Sequence, residues 1–277
     1  MDETKLPLVE HLKDLRRALR NSCIALVAAM TITLWWSQEL YVLLARPLIV
    51  AWKQAGLGTA EMNFGSLTEP FWTYFDLSLW SGVFLASPII FHQLWKFIAP
   101  GLYEKEKRVA VPFAATSALC FVGGAAFCYA FVLPAAFKFF LSYASANAAH
   151  IRAAWGVVDV NVSDPLGMKP TLFMQQYLDL TLRFLLGFGL VFELPLLIFF
   201  LAYAGLVTHR KLWKFNKYAI VLSFVIGGVL TPGPDVVSQL LMSVPLILLY
   251  NISIIVAMIV TRRRERQVAL EQSQASE

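Results

Sequence analysis

Two glutamates in a short polar segment carry the clearest chemistry of this sequence. Glu104 and Glu106 lie in the run 92–108, between two long apolar stretches. The basic residues of the same run are Lys96, Lys105, Lys107 and Arg108. Basic residues alone are enough to hold a loop on one side of a membrane, so acids kept among them indicate a site for a cationic partner. The segment is therefore a candidate recognition site.

The two acids differ in how they pair along the chain. If residues 103–109 are helical, Glu104 has Lys107 three positions ahead and Arg108 four ahead, which are the spacings at which opposite charges pair. Glu106 has only uncharged residues at those spacings. We therefore predict that Glu106 is the acid available to an incoming arginine, with a contact of about 1.5–3 kcal/mol that weakens when exposed. The alternative is two solvated acids that balance the neighbouring lysines.

A third acid lies inside an apolar stretch. Glu193 is near the middle of residues 177–207 and two positions before Pro195. An ionisable residue at that depth costs about 3 kcal/mol or more, and such residues serve a partner, an ion path or an internal hydrogen bond. Arg183, the nearest base along the helix, is about 15 Å outward. This absence of a base at similar depth favours an intermolecular partner over an internal hydrogen bond, and both remain open.

The elements that position these acids are membrane helices. The chain is 58% hydrophobic and 15% charged, more apolar than a soluble core of 277 residues can absorb. Six stretches are long enough to cross or nearly cross a bilayer: 21–44, 71–91, 109–141, 177–207, 213–230 and 236–260. The composition and the stretches predict an all-α polytopic membrane protein with six transmembrane helices.

Charge placement predicts the orientation of those helices. Six crossings put both termini on one side, and most of the 23 basic residues fall on that side. The six others are Arg46, Lys53, Lys138, Arg152, Lys169 and Arg183. Since basic loops stay in the cytoplasm, both termini are predicted to be cytoplasmic.

The whole chain, 1–277, is predicted to be a single integral membrane domain. Its parts are an amphipathic cytoplasmic arm (1–20), a transmembrane core (21–260) with external loops at about 45–70 and 142–172, and a basic cytoplasmic tail (261–277).

Two segments have unusual lengths. Only thirteen residues, counted from Tyr218, precede the turn at 231–235, which is about 20 Å of helix against a bilayer core of about 30 Å. Either nearby lysines extend to the headgroups, or the bilayer is locally thinned. The stretch 109–141 is long instead and contains Pro134, which predicts a bend there.

Catalytic and metal chemistry have no support in the sequence. The three cysteines all lie in apolar stretches, and the four histidines lack ligand spacing, so neither a disulfide framework nor a metal site is predicted. Neither an H-E-x-x-H pair nor a G-x-S-x-G turn is present. We predict neither enzymatic activity nor a cofactor.

Several runs together resemble one family. The run 87–108, SPIIFHQLWKFIAPGLYEKEKR, resembles the first cytoplasmic loop of TatC, the receptor subunit of the twin-arginine protein translocase. The similarity extends to the runs HLKDLR at 11–16, FELP at 192–195, LTPGPD at 230–235, SQ at 238–239 and PLILLY at 245–250. The matching runs occur in order along nearly the whole chain, except for the long loop at 142–172.

This resemblance implies an architecture and a function. It implies six helices in a concave, glove-like arrangement in the bacterial inner membrane. It also implies binding of the twin-arginine signal peptides of folded precursor proteins, and assembly with TatA- and TatB-type single-helix proteins into a larger complex that holds several copies of the chain.

The resemblance also assigns residues. The signal-peptide site is implied at Glu106, Phe97, Gln93, Asp14 and Arg16, and contact with the single-helix partners at Glu193 and Gln239. Pro47 and Asp235 belong to motifs of the external face. Because one loop acid does not hold two arginines, Asp14 from the arm is the expected second contact.

Three departures from the family pattern accompany these assignments. Asp14 replaces the usual glutamate, Asn251 stands where an acid is common, and the loop at 142–172 is long. The alternative function is a proton-coupled secondary transporter that uses Glu193 as its proton carrier. Such transporters show internal repeats, which this sequence lacks.

Overall fold

The described part of the chain folds mainly into helices. The computed structural model describes residues 8–98, 110–142, 171–230 and 236–274. Its helices are α1 (Leu8–Trp35), α2 (Ser37–Gln54), α3 (Glu69–Ile98), α4 (Ala110–Phe127), α5 (133–142), α6 (Met174–Phe192), α7 (Leu194–Tyr203), α8 (His209–Leu230) and α9 (Val236–Gln274). Two short strands, β1 (Met62–Asn63) and β2 (Leu172–Phe173), form one parallel pair. The predicted all-α class is confirmed, and the strand pair is a small addition to it.

Five helical segments in the described part of the chain are long and apolar enough to cross a membrane. They are Leu12–Trp35, Glu69–Ile98, Pro112–Ser142, Met174–Tyr203 and Gln239–Arg262. Helix α8 occupies the remaining predicted crossing but is not among them, because lysines and an arginine fill its first turns and leave only a short apolar part. A polytopic membrane protein is therefore confirmed, while local bilayer thinning at α8 stays a prediction.

The first crossing differs from its prediction at both ends. The stretch 21–44 was expected to cross as one piece, but the helix stops at Trp35, and α2 begins at Ser37 after a single turn residue. In the other direction α1 continues back to Leu8, so the arm and the crossing form one helix. Trp35 and Trp36 are 84% and 54% exposed at this corner, as expected of aromatic side chains at a membrane–water interface.

Helices α1 and α3 are antiparallel and pack closely through small and polar residues. A Cβ at Gly82 would lie 3.0 Å from the backbone nitrogen of Met30, so glycine permits this approach. One turn away the Thr33 hydroxyl donates to the carbonyl of Ser78 at 2.7 Å. Small residues and interhelical hydrogen bonds are the usual means of helix association in lipid, where apolar surface gives no preference for protein.

These two helices define the two ends of the bundle. We call the end with residues 12–19 of α1 and residues 93–98 of α3 the arm end. The opposite end, with α2 and residues 55–68, is the loop end. At the loop end Glu69 accepts hydrogen bonds from the backbone N–H groups of Gly65 and Gln175, which ties the loop after α2 to the start of α6.

A glycine also sets the crossing of α4 and α6. A Cβ at Gly124 would lie 2.6 Å from the carbonyl oxygen of Phe188 and 2.8 Å from Cβ of Phe192. The neighbouring Gly123 has nothing within 4 Å of the same position. Close approach at Gly124 is thus a specific requirement of this crossing.

Alanine at Gly124 is expected to lower the free energy of unfolding by about 1–3 kcal/mol, because the methyl group forces two packed helices apart. The measurement is the thermal unfolding midpoint of the purified protein in detergent. Gly123→Ala is the matched control, and its midpoint should stay equal or rise through better helix propensity. Equal losses in both variants would contradict the role of the crossing.

The long third stretch is interrupted just before Pro134, where the sequence predicts a bend. Residues Cys128–Val132 form a π-helical turn, in which the backbone N–H of Leu133 donates to the carbonyl of Cys128. Pro134 follows directly and has no N–H to give to Ala130, so the regular helical pattern ends here for a covalent reason. Beyond the turn, α5 continues outward to residue 142.

Candidate functional site

The two helices that flank the candidate recognition segment are fixed against each other. Its acids, Glu104 and Glu106, lie outside the described residues, but α3 before it and α4 after it pack against each other. Trp95 near the end of α3 donates its indole N–H to the Ser117 hydroxyl of α4 at 2.9 Å. Its ring also contacts Phe113 and Phe200, with centroids 5.1 and 4.8 Å away. The base of the loop is therefore fixed by a buried aromatic cluster.

The arm lies beside this base. Gly82 faces Met30, and α1 and α3 run in opposite directions with equal rise per residue. Counting equal numbers of residues from that contact places Asp14 at the level of Phe97 and Ile98. The arm and the end of α3 thus reach the same height at the arm end of the bundle.

The predicted arm residues are accessible at that height. Asp14 and Arg17 form a salt bridge of 3.6 Å, with side chains 40% and 70% exposed. Such exposed pairs contribute little and are easily exchanged for another partner. Arg16 is exposed as well. Breaking the pair with Arg17 therefore costs little free energy, and Asp14 is available to bind an arginine of a peptide.

The predicted α3 residues share one side of their helix. Gln93 and Phe97 are four residues apart, which places them on the same face, and both are half-buried. The structure thus brings Asp14, Arg16, Gln93 and Phe97 to one end of the bundle, beside the helix ends that bracket Glu106.

Glu193 occupies a break in the fourth membrane segment. Helix α6 ends at Phe192 and α7 begins at Leu194, with Pro195 in its first turn. Backbone N–H groups at the break donate to the carbonyls of Leu190 and Val191. Val191 is the residue whose helical bond Pro195 removes, so its freed carbonyl is satisfied by a tighter turn. Pro195 therefore accompanies a helix break at Glu193.

The Glu193 carboxyl has polar neighbours within this chain. Ser117 and the backbone of Phe121, both on α4, lie close to it. Ser117 also accepts the indole N–H of Trp95. The base of the loop and the acid at the helix break therefore lie next to the same serine. Counting only charged residues in the sequence misses this serine.

One oxygen of the same carboxyl lacks a hydrogen-bond partner among the described residues. This atom, Oε1 of Glu193, is buried. Buried polar atoms are usually satisfied, so this one needs an explanation. Oε1 has almost no accessible surface, whereas the Glu193 side chain as a whole is half-buried, so only the exposed part of the acid is available to a contact from outside the chain.

The remaining predicted residues are placed as follows. Gln239 of α9 donates its side-chain amide to the carbonyl of Phe224 in α8 at 2.8 Å and so joins the last two helices. Ser243 adds a hydrogen bond of 3.1 Å to the carbonyl of Ser223. Pro47 is buried within α2, and Asp235 lies outside the described residues.

Metal-ligating side chains are dispersed over the described ranges. No group of three or more His, Cys, Asp or Glu residues within them is placed to hold an ion, and the three cysteines are free thiols.

The chain is similar to known translocase proteins over nearly its full length. Residues 10–245 match the family model for the Sec-independent protein translocase protein TatC. The TatC of Desulforapulum autotrophicum is 38% identical over 95% of this chain and 88% of its own length. The TatC of Escherichia coli is 34% identical over 91% of this chain and 88% of its own length.

Solved structures agree with these relatives. A crystal structure of the twin-arginine translocase receptor TatC matches with a TM-score of 0.73 and 35% identity, over 91% of this chain and 99% of that one. A second TatC crystal structure, in the detergent DDM, matches with a TM-score of 0.72 at 35% identity, over 89% of this chain and 99% of that one. Because the family model spans most of the chain and the relatives are more than 30% identical over most of their length, the chain belongs to the TatC family of Sec-independent protein translocase proteins.

Proposed function

We propose that this chain is the receptor subunit of a twin-arginine translocation system. It binds the twin-arginine signal peptides of folded precursor proteins at the arm end. It then assembles with TatA- and TatB-type single-helix proteins for export across the bacterial inner membrane, with the arm end and both termini in the cytoplasm. Membership of the TatC family makes the chain a translocation component with a transport role rather than a catalytic one.

The observation that carries the proposal is the alignment of the arm with the end of α3. Asp14 lies at the level of Phe97, and its ion pair with Arg17 is exposed and weak. The ends of α3 and α4, which flank Glu106 in the sequence, are joined by a hydrogen bond beside it. Two acids from different segments match a peptide with two adjacent arginines. Phe97 and the half-buried Gln93 offer apolar and amide surface next to them.

The expected free energy of signal-peptide binding is typical of a transient complex. Each carboxylate–guanidinium contact contributes about 1.5–3 kcal/mol at most, and less when exposed. Two such contacts with some apolar packing give an affinity of about micromolar. A receptor that must release each precursor after use needs an affinity of this order.

Photocrosslinking tests the location of the site. A benzophenone amino acid at position 97 should crosslink to a twin-arginine signal peptide, and the yield should fall when the two arginines are replaced by lysines. Position 64, exposed at the loop end, is the matched control and should give no crosslink. Equal yields from positions 97 and 64 would contradict the proposal.

A second surface is proposed for the single-helix partners. The half-buried carboxyl of Glu193 supplies the polar contact. Gln239 contributes by holding α8 and α9 together, since its amide is bonded within that pair. Several copies of the chain are expected in the assembled complex.

A further inference from the structure

A cavity at the loop end has a composition that the translocation function does not explain. Its volume is about 410 Å³, within the range of roughly 300–1,000 Å³ that small-molecule sites occupy. It lies between α2 on one side and the π-helical turn with α5 on the other. Nothing in the arm-end site or around Glu193 contacts it.

The two walls are built alike. Arg46, Val50 and Gln54 line the cavity from α2, and Ala130, Pro134 and Lys138 line it from the other side. Each set repeats every four residues, so each wall is one helix face. Both walls combine a basic residue with apolar surface, and the wall of α2 adds an amide.

The charge of the cavity is uniformly positive. Arg46 and Lys138 are exposed, no acidic residue lines the cavity, and neither base has an ion pair within the described ranges. These bases are two of only six that lie away from the basic side of the chain. Their convergence on one cavity runs against the charge distribution that orients the protein, and it therefore points to an anionic occupant.

The height of the cavity indicates where that anion resides. Lys138 is four residues, or about 6 Å, before the end of the span Pro112–Ser142. The exposed Trp35 and Trp36, which mark a membrane interface, directly precede α2. The cavity thus opens at headgroup level, with apolar walls that continue towards the acyl chains.

We propose that this cavity binds an anionic phospholipid. Arg46 and Lys138 hold the phosphate, Gln54 donates to the headgroup or glycerol oxygens, and an acyl chain lies along Val50, Ala130 and Pro134. Arginine suits this role because its planar fork binds phosphate through two parallel hydrogen bonds.

Native mass spectrometry of the full chain in detergent tests the proposal. The probes are dioleoylphosphatidylglycerol and dioleoylphosphatidylcholine, which share acyl chains and a phosphate but differ in net charge. The anionic lipid should bind about tenfold more tightly, and the preference should disappear in the Arg46→Gln/Lys138→Gln variant. The matched control, Lys53→Gln/Lys211→Gln, removes the same charge outside the cavity and should keep the preference.

Two further experiments distinguish a bound lipid from free phosphate and test whether lost binding reflects misfolding. Ala130→Trp fills the cavity with both bases intact and should lower lipid binding without changing the thermal unfolding midpoint. Millimolar inorganic phosphate should not displace the lipid, since it lacks the acyl chain. Equal binding of the two lipids, equal loss in the control variant, unchanged binding in Ala130→Trp, or displacement by phosphate would each overturn the proposal.

Discussion

Replacing Glu106 with alanine is expected to abolish crosslinking of twin-arginine precursors to this chain while leaving its membrane insertion intact. Pairing along the loop leaves Glu106 as the acid without a helical counter-charge, so its carboxylate is the one an arginine of the signal peptide meets. Loss of a contact of about 1.5–3 kcal/mol weakens binding by roughly tenfold to a hundredfold. From a micromolar starting affinity, crosslinking falls to background.

Glu104→Ala is the matched control for this prediction. It removes an equal charge two residues away, but from an acid that a helix over 103–109 would pair with Lys107 and Arg108. Precursor crosslinking should therefore be largely retained, and Asp14→Ala should fall between the two variants because the arm supplies the second contact. Undiminished precursor binding by Glu106→Ala would remove Glu106 from the site, whatever the control shows.

Replacing Glu193 with alanine is expected to spare precursor binding and to lower co-purification of a single-helix partner by about tenfold, the effect of one buried polar contact. The reason is that the Glu193 side chain is only half-buried and its carboxyl is incompletely satisfied within the chain, so a donor from the partner helix can bond to its exposed part. The measurement is the amount of tagged partner that co-purifies from membranes, relative to the amount of this chain.

Two variants separate a binding role for Glu193 from a structural one. Ser117→Ala removes the internal hydroxyl partner but leaves the acid, so partner binding should persist while the thermal unfolding midpoint falls. Leu190→Ala changes an exposed residue one turn earlier and serves as a surface control. If co-purification in Glu193→Ala is unchanged, the acid serves the fold alone. Substrate-dependent proton flux through liposomes that contain only this chain would instead support a transporter.

The helix breaks show which parts of the fold follow from local sequence. Pro134 and Pro195 lack a backbone N–H, and each lies at an interruption. Proline alone does not decide the break, because Pro47, Pro88 and Pro245 lie inside unbroken helices. The break at Trp36 has no such residue and was missed. An apolar run through Trp35 and Trp36 has the composition of a continuous span, and only packing of α2 against other elements ends it there.

The candidate site also divides into a local and a non-local part. The helical neighbours of Glu104 and Glu106 follow from local spacing, and that prediction concerns residues outside the described ranges. The link from Ser117 to Glu193 depends on a crossing at Gly124 between helices far apart in the chain, and no local pattern contains it. The level of Asp14 beside Phe97 likewise depends on the register that Gly82 sets between α1 and α3.

The unbroken course of α1 has a mechanical consequence. An α-helix of 28 residues is about 42 Å long and resists bending, so its two ends move as one rigid body. A peptide that displaces the arm near Asp14 must then tilt the whole rod about its contact at Gly82. The opposite end, at Trp35, would swing the other way and carry the start of α2 with it. Binding of a peptide at one face of the membrane would thereby move the start of α2 at the other face. Paired spin labels at the two ends of α1 would measure this movement.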